Sequence, residues 1–335
     1  MQRGFIAFTW ILLVGMAAGL ARAEGNSAAP TTRPDEVNLI AMGDWGSGAA
    51  PQRAVANTLA DYVAAQPVTF DGTILVGDNF YVPLKSINDP AWQNLFETMY
   101  DPAKLAMPFY VALGNHDCQQ GKFQIELDYA KAHPESRWKF PSRWYRLELP
   151  EDKPLVTIFM LDSDKDYLSA EQWKQESKWL ASELAKPRTT PWVMAAAHHP
   201  LFSNGSHGDT GPLQREWGPL FKKYSVDFYV CGHDHDLQHI QPDGWFTSFI
   251  LCGGGGKTPR PMRMTNRGPF SRSLDGFVHM ELTPEKAVVK YIDSEGKLVH
   301  EFDRSKAGAV QVVTTTGHDQ PTKHQLKAIN GIGAD

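Results

Sequence analysis

A chain of 335 residues allows one large domain or two ordinary ones, and its 42% hydrophobic and 21% charged content is that of a folded globular protein, not a disordered one. Its 33 basic and 38 acidic residues leave a net charge of −5, which offers no positive field to a nucleic-acid backbone or an anionic lipid surface. Three cysteines, Cys118, Cys231 and Cys252, with no C-x-x-C pair, exclude a disulfide framework and a cysteine-rich zinc module and leave room for one internal disulfide at most.

Arg3, an apolar run from Phe5 to Leu20 and the small-x-small sequence Ala21-Arg22-Ala23 predict a signal peptide over residues 1–23. The run is 16 residues long, against the roughly 20 that a spanning helix needs. A secreted or periplasmic protein with no membrane span after cleavage is therefore expected. Its mature balance is 31 basic against 38 acidic residues, or −7. Residues 24–36 are small, polar and proline-punctuated and read as a flexible linker, so the domain is expected to start at Val37.

From there short apolar runs alternate with amphipathic segments, which is α/β patterning. The pattern predicts a strand at Val37 to Met42, a helix at Gln52 to Ala65, a strand at Thr73 to Val76, a helix near Ala91 to Tyr100 and a strand at Phe109 to Leu113. A helix around Phe123 to Ala132 and strands at Tyr145 to Leu149 and Val156 to Leu161 follow. The longest helix runs from Ala170 to Lys186, with Ser169 as N-cap, Pro187 as the stop, and Trp173, Trp179, Leu180 and Leu184 along one buried stripe. Strands are predicted at Trp192 to Ala197, Asp227 to Cys231, Thr247 to Leu251, Gly276 to Leu282, Ala287 to Ile292 and Leu298 to Phe302. One sheet-based domain over residues 37–305 accounts for this order, and residues 306–335, without sustained periodicity, read as a tail.

Five short motifs stand directly after predicted strands, where the loops of α/β folds converge on one sheet edge. They are Gly43-Asp44-Trp45-Gly46, Gly77-Asp78-Asn79-Phe80-Tyr81, Gly114-Asn115-His116-Asp117, Ala195-Ala196-Ala197-His198-His199-Pro200 and Gly232-His233-Asp234-His235. Asp, Tyr and His together serve a hard trivalent ion, while Asn and two His sharing a carboxylate suit a divalent first-row ion. Two ions bridged by one carboxylate, about 3.5 to 4 Å apart, hold a hydroxide and clamp a phosphoryl oxygen together.

This ordered set resembles the calcineurin-like metallophosphoesterase superfamily and, within it, the purple acid phosphatases, especially the small tartrate-resistant animal type, from about Val37 to Phe302. The resemblance implies a four-layer αββα sandwich of two mixed β-sheets flanked by helices. It implies iron(III) held by Asp44, Tyr81 and His235, a second divalent metal (iron(II), zinc or manganese) held by Asn115, His198 and His233, and Asp78 bridging the two. Tyr81 is the specific signal, because most of the superfamily has a histidine where this chain has Gly46. The resemblance also places His116 and His207 on the substrate phosphate and the leaving group. Asp117, next to His116, is expected to hydrogen-bond it and raise its pKa, a turn cap being the other reading. The implied activity is that of an acid phosphatase, monomeric, cleaving small phosphomonoesters by in-line attack of a hydroxide bound at the binuclear centre.

The chain departs from the animal type in three places. It is short between Leu161 and Ala170, so activation by proteolysis is not expected; Ser206 stands before His207 where an acid is common; and the Asn204-Gly205-Ser206 sequon lies in the pocket loop, where no glycan is expected. The Gly253 to Gly256 run lacks the Lys-Ser/Thr of a P-loop and is given no phosphate-cradling role. His199 is expected to point away from its strand neighbour His198, and His133, His239, His279, His300, His318 and His324 take surface or packing roles. Trp45, Phe80, Phe202 and Trp245 are either an aromatic pocket rim or packing. A phosphodiesterase, nucleotidase or pyrophosphatase on the same metals is the nearest alternative, and a non-catalytic phosphate- or metal-binding protein a distant one. A Ser-His-Asp hydrolase is excluded, because no G-x-S-x-G follows a strand.

Overall fold

The computed structural model of the chain describes residue 1 and residues 35–264 and 267–319. In chain order the elements are β1 (Val37–Met42), α1 (Ala50–Ala65), β2 (Gly72–Val76), a π-helical segment Trp92–Glu97, β3 (Phe109–Ala112), α2 (Asn115–Cys118), α3 (Lys122–Ala132), β4 (Trp138–Lys139), β5 (Tyr145–Leu149) and β6 (Val156–Met160). They continue with α4 (Ala170–Leu184), β7 (Trp192–Ala196), α5 (Gly211–Glu216), α6 (Gly218–Tyr224), β8 (Phe228–Cys231), β9 (Leu237–Ile240), β10 (Ser248–Cys252), β11 (Phe270–Arg272), β12 (Gly276–Leu282), β13 (Lys286–Asp293), β14 (Leu298–Ser305) and β15 (Val310–Thr315).

The strands form two mixed sheets, one of eight strands in the order β15-β14-β13-β12-β1-β2-β3-β4 and one of seven in the order β11-β9-β10-β8-β7-β6-β5. Within the first, β1 to β4 run parallel, and within the second β6, β7, β8 and β10 do. Side chains of a strand alternate between its faces, and the second sheet shows how both are used. Ile158, Met160, Met194, Ala196, Phe228, Val230 and Ile250 join the first sheet in one core. Their neighbours Phe159, Val193, Ala195, Tyr229, Phe249 and Leu251 pack instead with Trp173, Leu180 and Leu184 of α4 and Phe221 of α6. Two sheets face to face with helices outside are the layered arrangement that the resemblance implies. Both faces of these parallel strands are buried, which is why they read as continuous apolar runs.

The Ser169 hydroxyl caps α4 by accepting from Gln172 N–H at 3.2 Å, and the Gln172 side chain accepts from Ser169 N–H at 3.0 Å. On the buried stripe Glu176 accepts from the Asp162 amide at 2.7 Å, which fixes the chain as it leaves β6. Under the first two motif loops, Trp45, Phe80, Trp92, Phe96, Tyr100 and Trp138 form a nearly solvent-free aromatic cluster. Trp45 and Phe80 are therefore core, and Phe202 and Trp245 pack on Phe249, so none of the four is a free pocket rim.

The sheets extend further than the patterning indicated. Residues 310–315, assigned to a tail, form edge strand β15 paired with β14, and a bridge joins His318 to Ser271. This strand is mostly exposed, so its β-branched residues carry no in-out alternation for a pattern to detect. Strands β4, β9 and β11 and helices α5 and α6 were also not predicted, being two to seven residues long. All three cysteines are buried free thiols; Cys252 follows Leu251, the cross-strand partner of Cys231, and its Sγ lies 3.5 Å from the Cys231 carbonyl. Among the described residues no helix is long and apolar enough to cross a membrane. The predicted signal peptide after Met1, most of the linker and residues 320–335 lie outside the described residues.

Candidate metal centre

The C-terminal ends of β1, β2 and β3 in one sheet and of β7 and β8 in the other meet at one edge, and the loops that leave them carry the motif residues. Asp44 follows β1, Asp78 and Tyr81 follow β2, Asn115 follows β3, His198 follows β7, and His233 and His235 follow β8. Among the described residues four non-glycine residues have left-handed backbone, and three of them are Asp44 (φ 59°), Asp78 (φ 53°) and His233 (φ 71°). Such a conformation costs about 1–3 kcal/mol and persists where the surroundings over-determine it, commonly at functional sites. The flanking glycines are fixed by close approach. A Cβ on Gly114 would stand 2.3 Å from Asp78 Oδ1, and one on Gly232 would stand 2.4 Å from Asp44 Oδ2.

Seven donors converge there. Asp44, Asp78 and His198 bring their ligand atoms within 4.8 Å of one another. His198 Nε2 lies 3.5 Å from Asp78 Oδ1, 3.2 Å from Asn115 Oδ1 and 3.1 Å from His233 Nδ1. On the other side, Tyr81 Oη lies 3.1 Å from Asp44 Oδ1 and 3.2 Å from His235 Nε2, which is itself 3.5 Å from Asp44 Oδ1. Each carboxylate is also held by a backbone amide, His233 N–H on Asp44 Oδ2 and His116 N–H on Asp78 Oδ1, both at 2.9 Å.

The donor chemistry fits a pair of cations. His198 gives its Nδ1 to the Val76 carbonyl at 2.9 Å and His235 its Nδ1 to the Thr258 carbonyl at 3.0 Å. A carbonyl can only accept, so both rings carry a proton on Nδ1 and leave Nε2 to face the donor set, the orientation that a metal-bound histidine needs. Burial lowers the His198 pKa, but Asp78 and Asp44 outweigh it and raise that pKa above its ordinary value. Burial pushes the His235 pKa down to about 4 and that of His233 well below its usual range. Burial raises Asp44, and it would raise Asp78 too had His198 and His116 not held that carboxyl below its ordinary value. Burial, with Asp44 and Asp78 beside it, pushes the Tyr81 phenol far up, so a cation is what would let it ionise there.

The three residues expected to assist catalysis fare differently. The ring of His116 is half-buried and 4.5 Å from the Tyr81 ring. His207 stacks on His233 at 4.1 Å with its amide on Asp234 Oδ1 at 2.8 Å. Asp117 does not bond the His116 ring as expected. Its buried carboxylate accepts from the amides of Asn79 (2.9 Å), Phe80 (3.0 Å) and Gly114 (2.8 Å), so it ties the second motif loop to the third. The His116 pKa is correspondingly lowered, by burial first, and not raised. Asn204 is buried, with its amide on the Arg267 carbonyl and Ser271 Oγ, which leaves the sequon without an exposed acceptor.

Three neighbours were missed. The ring of His199 lies 4.4 Å from that of His233, because β7 ends at Ala196 and strand alternation does not reach it. Lys257 donates its amide to the Asp44 carbonyl at 2.9 Å and places its ammonium 4.5 Å from the centre of the Tyr81 ring. Arg260 donates its amide to the His235 carbonyl at 3.2 Å and sets its guanidinium against His207 Nε2. The signal for these two was a run of charge: from Leu251 to Leu274 there are five basic residues and no acid.

With this geometry in view, the chain can be set beside known proteins. The profile of the calcineurin-like phosphoesterase family matches residues 37–237. The chain is 32% identical to "Tartrate-resistant acid phosphatase type 5" of Oryctolagus cuniculus over 86% of its own length and 95% of the relative's. It is 29% identical to "Purple acid phosphatase 7" of Arabidopsis thaliana over 82% and 87%. Among solved structures it is similar to GAP50, the anchor in the inner membrane complex of Plasmodium, with a TM-score of 0.71 at 22% identity over 89% and 94% of the two chains. It also resembles the purple acid phosphatase PPD1 from yellow lupin seeds, with a TM-score of 0.61 at 18% identity over 88% of this chain and 58% of that one. At those identities the structural likeness speaks for the fold alone.

Proposed function

Because the chain belongs to the calcineurin-like phosphoesterase family, in the branch of the tartrate-resistant and purple acid phosphatases, we propose that it is an exported acid phosphatase acting on small phosphomonoesters. The observation that carries this reading is the convergence of two carboxylates, a phenol, an amide oxygen and three imidazoles at one edge, with three of their residues in left-handed backbone. Export rests on the sequence of residues 1–23.

Asp44, Tyr81 and His235 would hold iron(III), Asn115, His198 and His233 a divalent ion (iron(II), zinc or manganese), and Asp78 would bridge them. When bound, the pair supplies Lewis acidity and an activated water for direct attack on phosphorus, so no phosphoenzyme is needed. The chain's own part is to position. The Val76 and Thr258 carbonyls fix the tautomers of His198 and His235, and Asp117 locks the loops of Asp78 and Asn115 in register. His116 and His207 flank the donor set on the Tyr81 side and the His233 side. Each would orient a phosphoryl oxygen and give its proton to the leaving alkoxide. An imidazole donates only when protonated, so activity should fall as pH rises past the pKa of the donor, giving an acid optimum.

The test is phosphate release from p-nitrophenyl phosphate by the purified, metal-loaded protein from pH 4 to 9, with bis(p-nitrophenyl) phosphate as the diester control. Monoester cleavage with a maximum below neutrality supports the reading. A maximum above neutrality, or faster cleavage of the diester, overturns it.

A further inference from the structure

An open sheet edge presents a row of unpaired backbone N–H and C=O groups, and folded proteins blunt such edges with charge, proline, brevity or a covering segment. The two sheets have four edges here, β15 and β4 in one, β11 and β5 in the other, and three of them are blunted. β4 is two residues long. β5 carries Arg146 and Glu148 and runs into Pro150. β11 is covered by the chain that leaves β15: Ser271 donates its amide to the Gly317 carbonyl at 3.3 Å and accepts from the Asp319 amide at 3.0 Å, on either side of the bridge to His318. β15 itself has no charge, no proline and no cover among the described residues.

The strand is six residues long, and five of them are β-branched, the type that favours extended pairing. No charged residue occurs from Ala307 to Gly317, eleven positions in a chain that is 21% charged. Successive side chains point to opposite faces of the sheet, yet all of residues 311–315 are exposed, so neither face of this stretch is packed. Past Met1, the described residues expose four large apolar or aromatic side chains; Val312 and Val313 stand on β15 and Leu298 on its neighbour β14, with Tyr167 the exception. The one irregularity of the strand is a bulge that leaves Val313, the most exposed of these, without a partner on β14.

We propose that β15 is a self-association surface, pairing antiparallel with β15 of a second copy about a two-fold axis and joining the two eight-stranded sheets into one. This differs from the monomer that the family resemblance implies. Charge and symmetry name the occupant. Antiparallel self-pairing sets each residue against another of the same short segment, where like charges directly opposite are destabilising, and this segment carries none. The nearest acids on β14, Glu301 and Asp303, would stand three strand spacings from those of the other copy, about 14 Å. That exceeds the Debye length of about 8 Å at physiological ionic strength, so the net charge of −5 does not oppose the approach at this edge. Each copy has one unblunted edge among the described strands, so the pairing closes at two and does not run on into a fibre. β15 lies four places from β1 in its sheet, about 19 Å, which keeps the metal-centre loops of both copies clear of the join.

The test is sedimentation equilibrium of the purified protein from about 1 to 300 µM, with hydrogen exchange of the same samples read peptide by peptide. The mass should climb from one chain toward two with a Kd on the order of 30 µM, as suits a small interface. Amide exchange in residues 310–316 should slow about 5-fold or more between the dilute and the concentrated sample, and elsewhere by less than about 2-fold. The double variant Gln311→Lys, Thr314→Lys sets like charges across the axis and should raise the Kd about 30-fold or more. Gln175→Lys with Ser182→Lys, the same added charge on exposed positions of α4, should leave it within about 3-fold. Urea midpoints show whether each variant is folded, and the exchange measurement on wild type needs no variant. A single-chain mass over the whole range overturns the proposal. So does a dimer that the strand variant leaves intact, or one whose slowed amides lie outside residues 310–316. None of these readings depends on turnover, so they hold whether or not the protein proves to be a phosphatase.

Discussion

Among the described residues the buried histidines fall in two settings, His198 and His235 in loops just past strand ends and His239, His279 and His300 inside strands. In the loops, His198 and His235 each bind a carbonyl through Nδ1 and turn Nε2 toward a carboxylate. Inside the strands the rings bond neutral groups or each other, and His239 Nε2 and His300 Nδ1 are left buried without a partner. His279 on β12 spends one nitrogen on the Tyr62 hydroxyl (2.9 Å) and the other on Asn38 Oδ1 (3.0 Å). His239 on β9 and His300 on β14 bond each other at 3.0 Å, stacked against Phe302 and Phe270 respectively. Burial therefore does not mark a ligand. A nitrogen that faces the buried carboxylate of Asp44 or Asp78, each in left-handed backbone, does.

Removing a ligand should have the largest effect. Asp78→Asn is expected to cost more than about 100-fold in kcat, beyond the 10–100-fold typical of groups that merely support a ligand, and to release metal. A metal analysis that finds both ions retained at full activity would break the distinction between the two kinds of site. Tyr81→Phe should abolish the broad visible band expected of a tyrosinate on iron(III) while the protein stays folded; a band that survives in the variant removes Tyr81 from the metal. Asp117→Asn weakens the bonds to three amides and should lower stability by about 2 kcal/mol. It should also reduce kcat about 10-fold with little change in KM, as expected for a positioning residue, read from urea midpoints and steady-state kinetics.

The smallest effect sits among the strand histidines and is a slope. Burial, with Lys290 a lesser cause, pushes the His279 pKa down to about 3; Glu281 lies 3.8 Å away and is itself bonded by Lys290. The unfolded chain, with an ordinary value of about 6.5, takes up the proton first. Stability from this group is thus full above pH 6.5 and drains as pH falls toward 3. His279→Gln, which keeps partners for Tyr62 and Asn38, should lose on the order of 2 kcal/mol less than wild type between pH 7 and 4.5. Equal urea midpoint shifts in the two proteins would show that His279 is not kept neutral by the fold.

Much of this centre was legible because its loops are short and follow strong apolar strands, so that Asp44, Asp78, Asn115, His198 and His233 each stand within two residues of a strand end or of the glycine beside it. What escaped depends on tertiary approach. Adjacency tied Asp117 to His116, but helix α2 turns its carboxylate under the second loop. His199 was read with an alternation that stops at Ala196. Lys257 and Arg260 reach the site through glycines whose value lies in what they let come close, and this is visible only once Asp44 is in place. The edge strand β15 has no buried face to print a pattern.

The donor set is also a seam. Asp44, Asp78, Tyr81 and Asn115 hang from the eight-stranded sheet, while His198, His233 and His235 hang from the seven-stranded one. Ions shared between them would act as rivets through both plates, so that prising the sheets apart at this edge and losing metal become one event. Ligation then enters the folding equilibrium directly, adding about 2.7 kcal/mol at a free ion concentration one hundred times the dissociation constant. Metal supply, beyond switching chemistry on, would set how long the two halves of the molecule stay clamped.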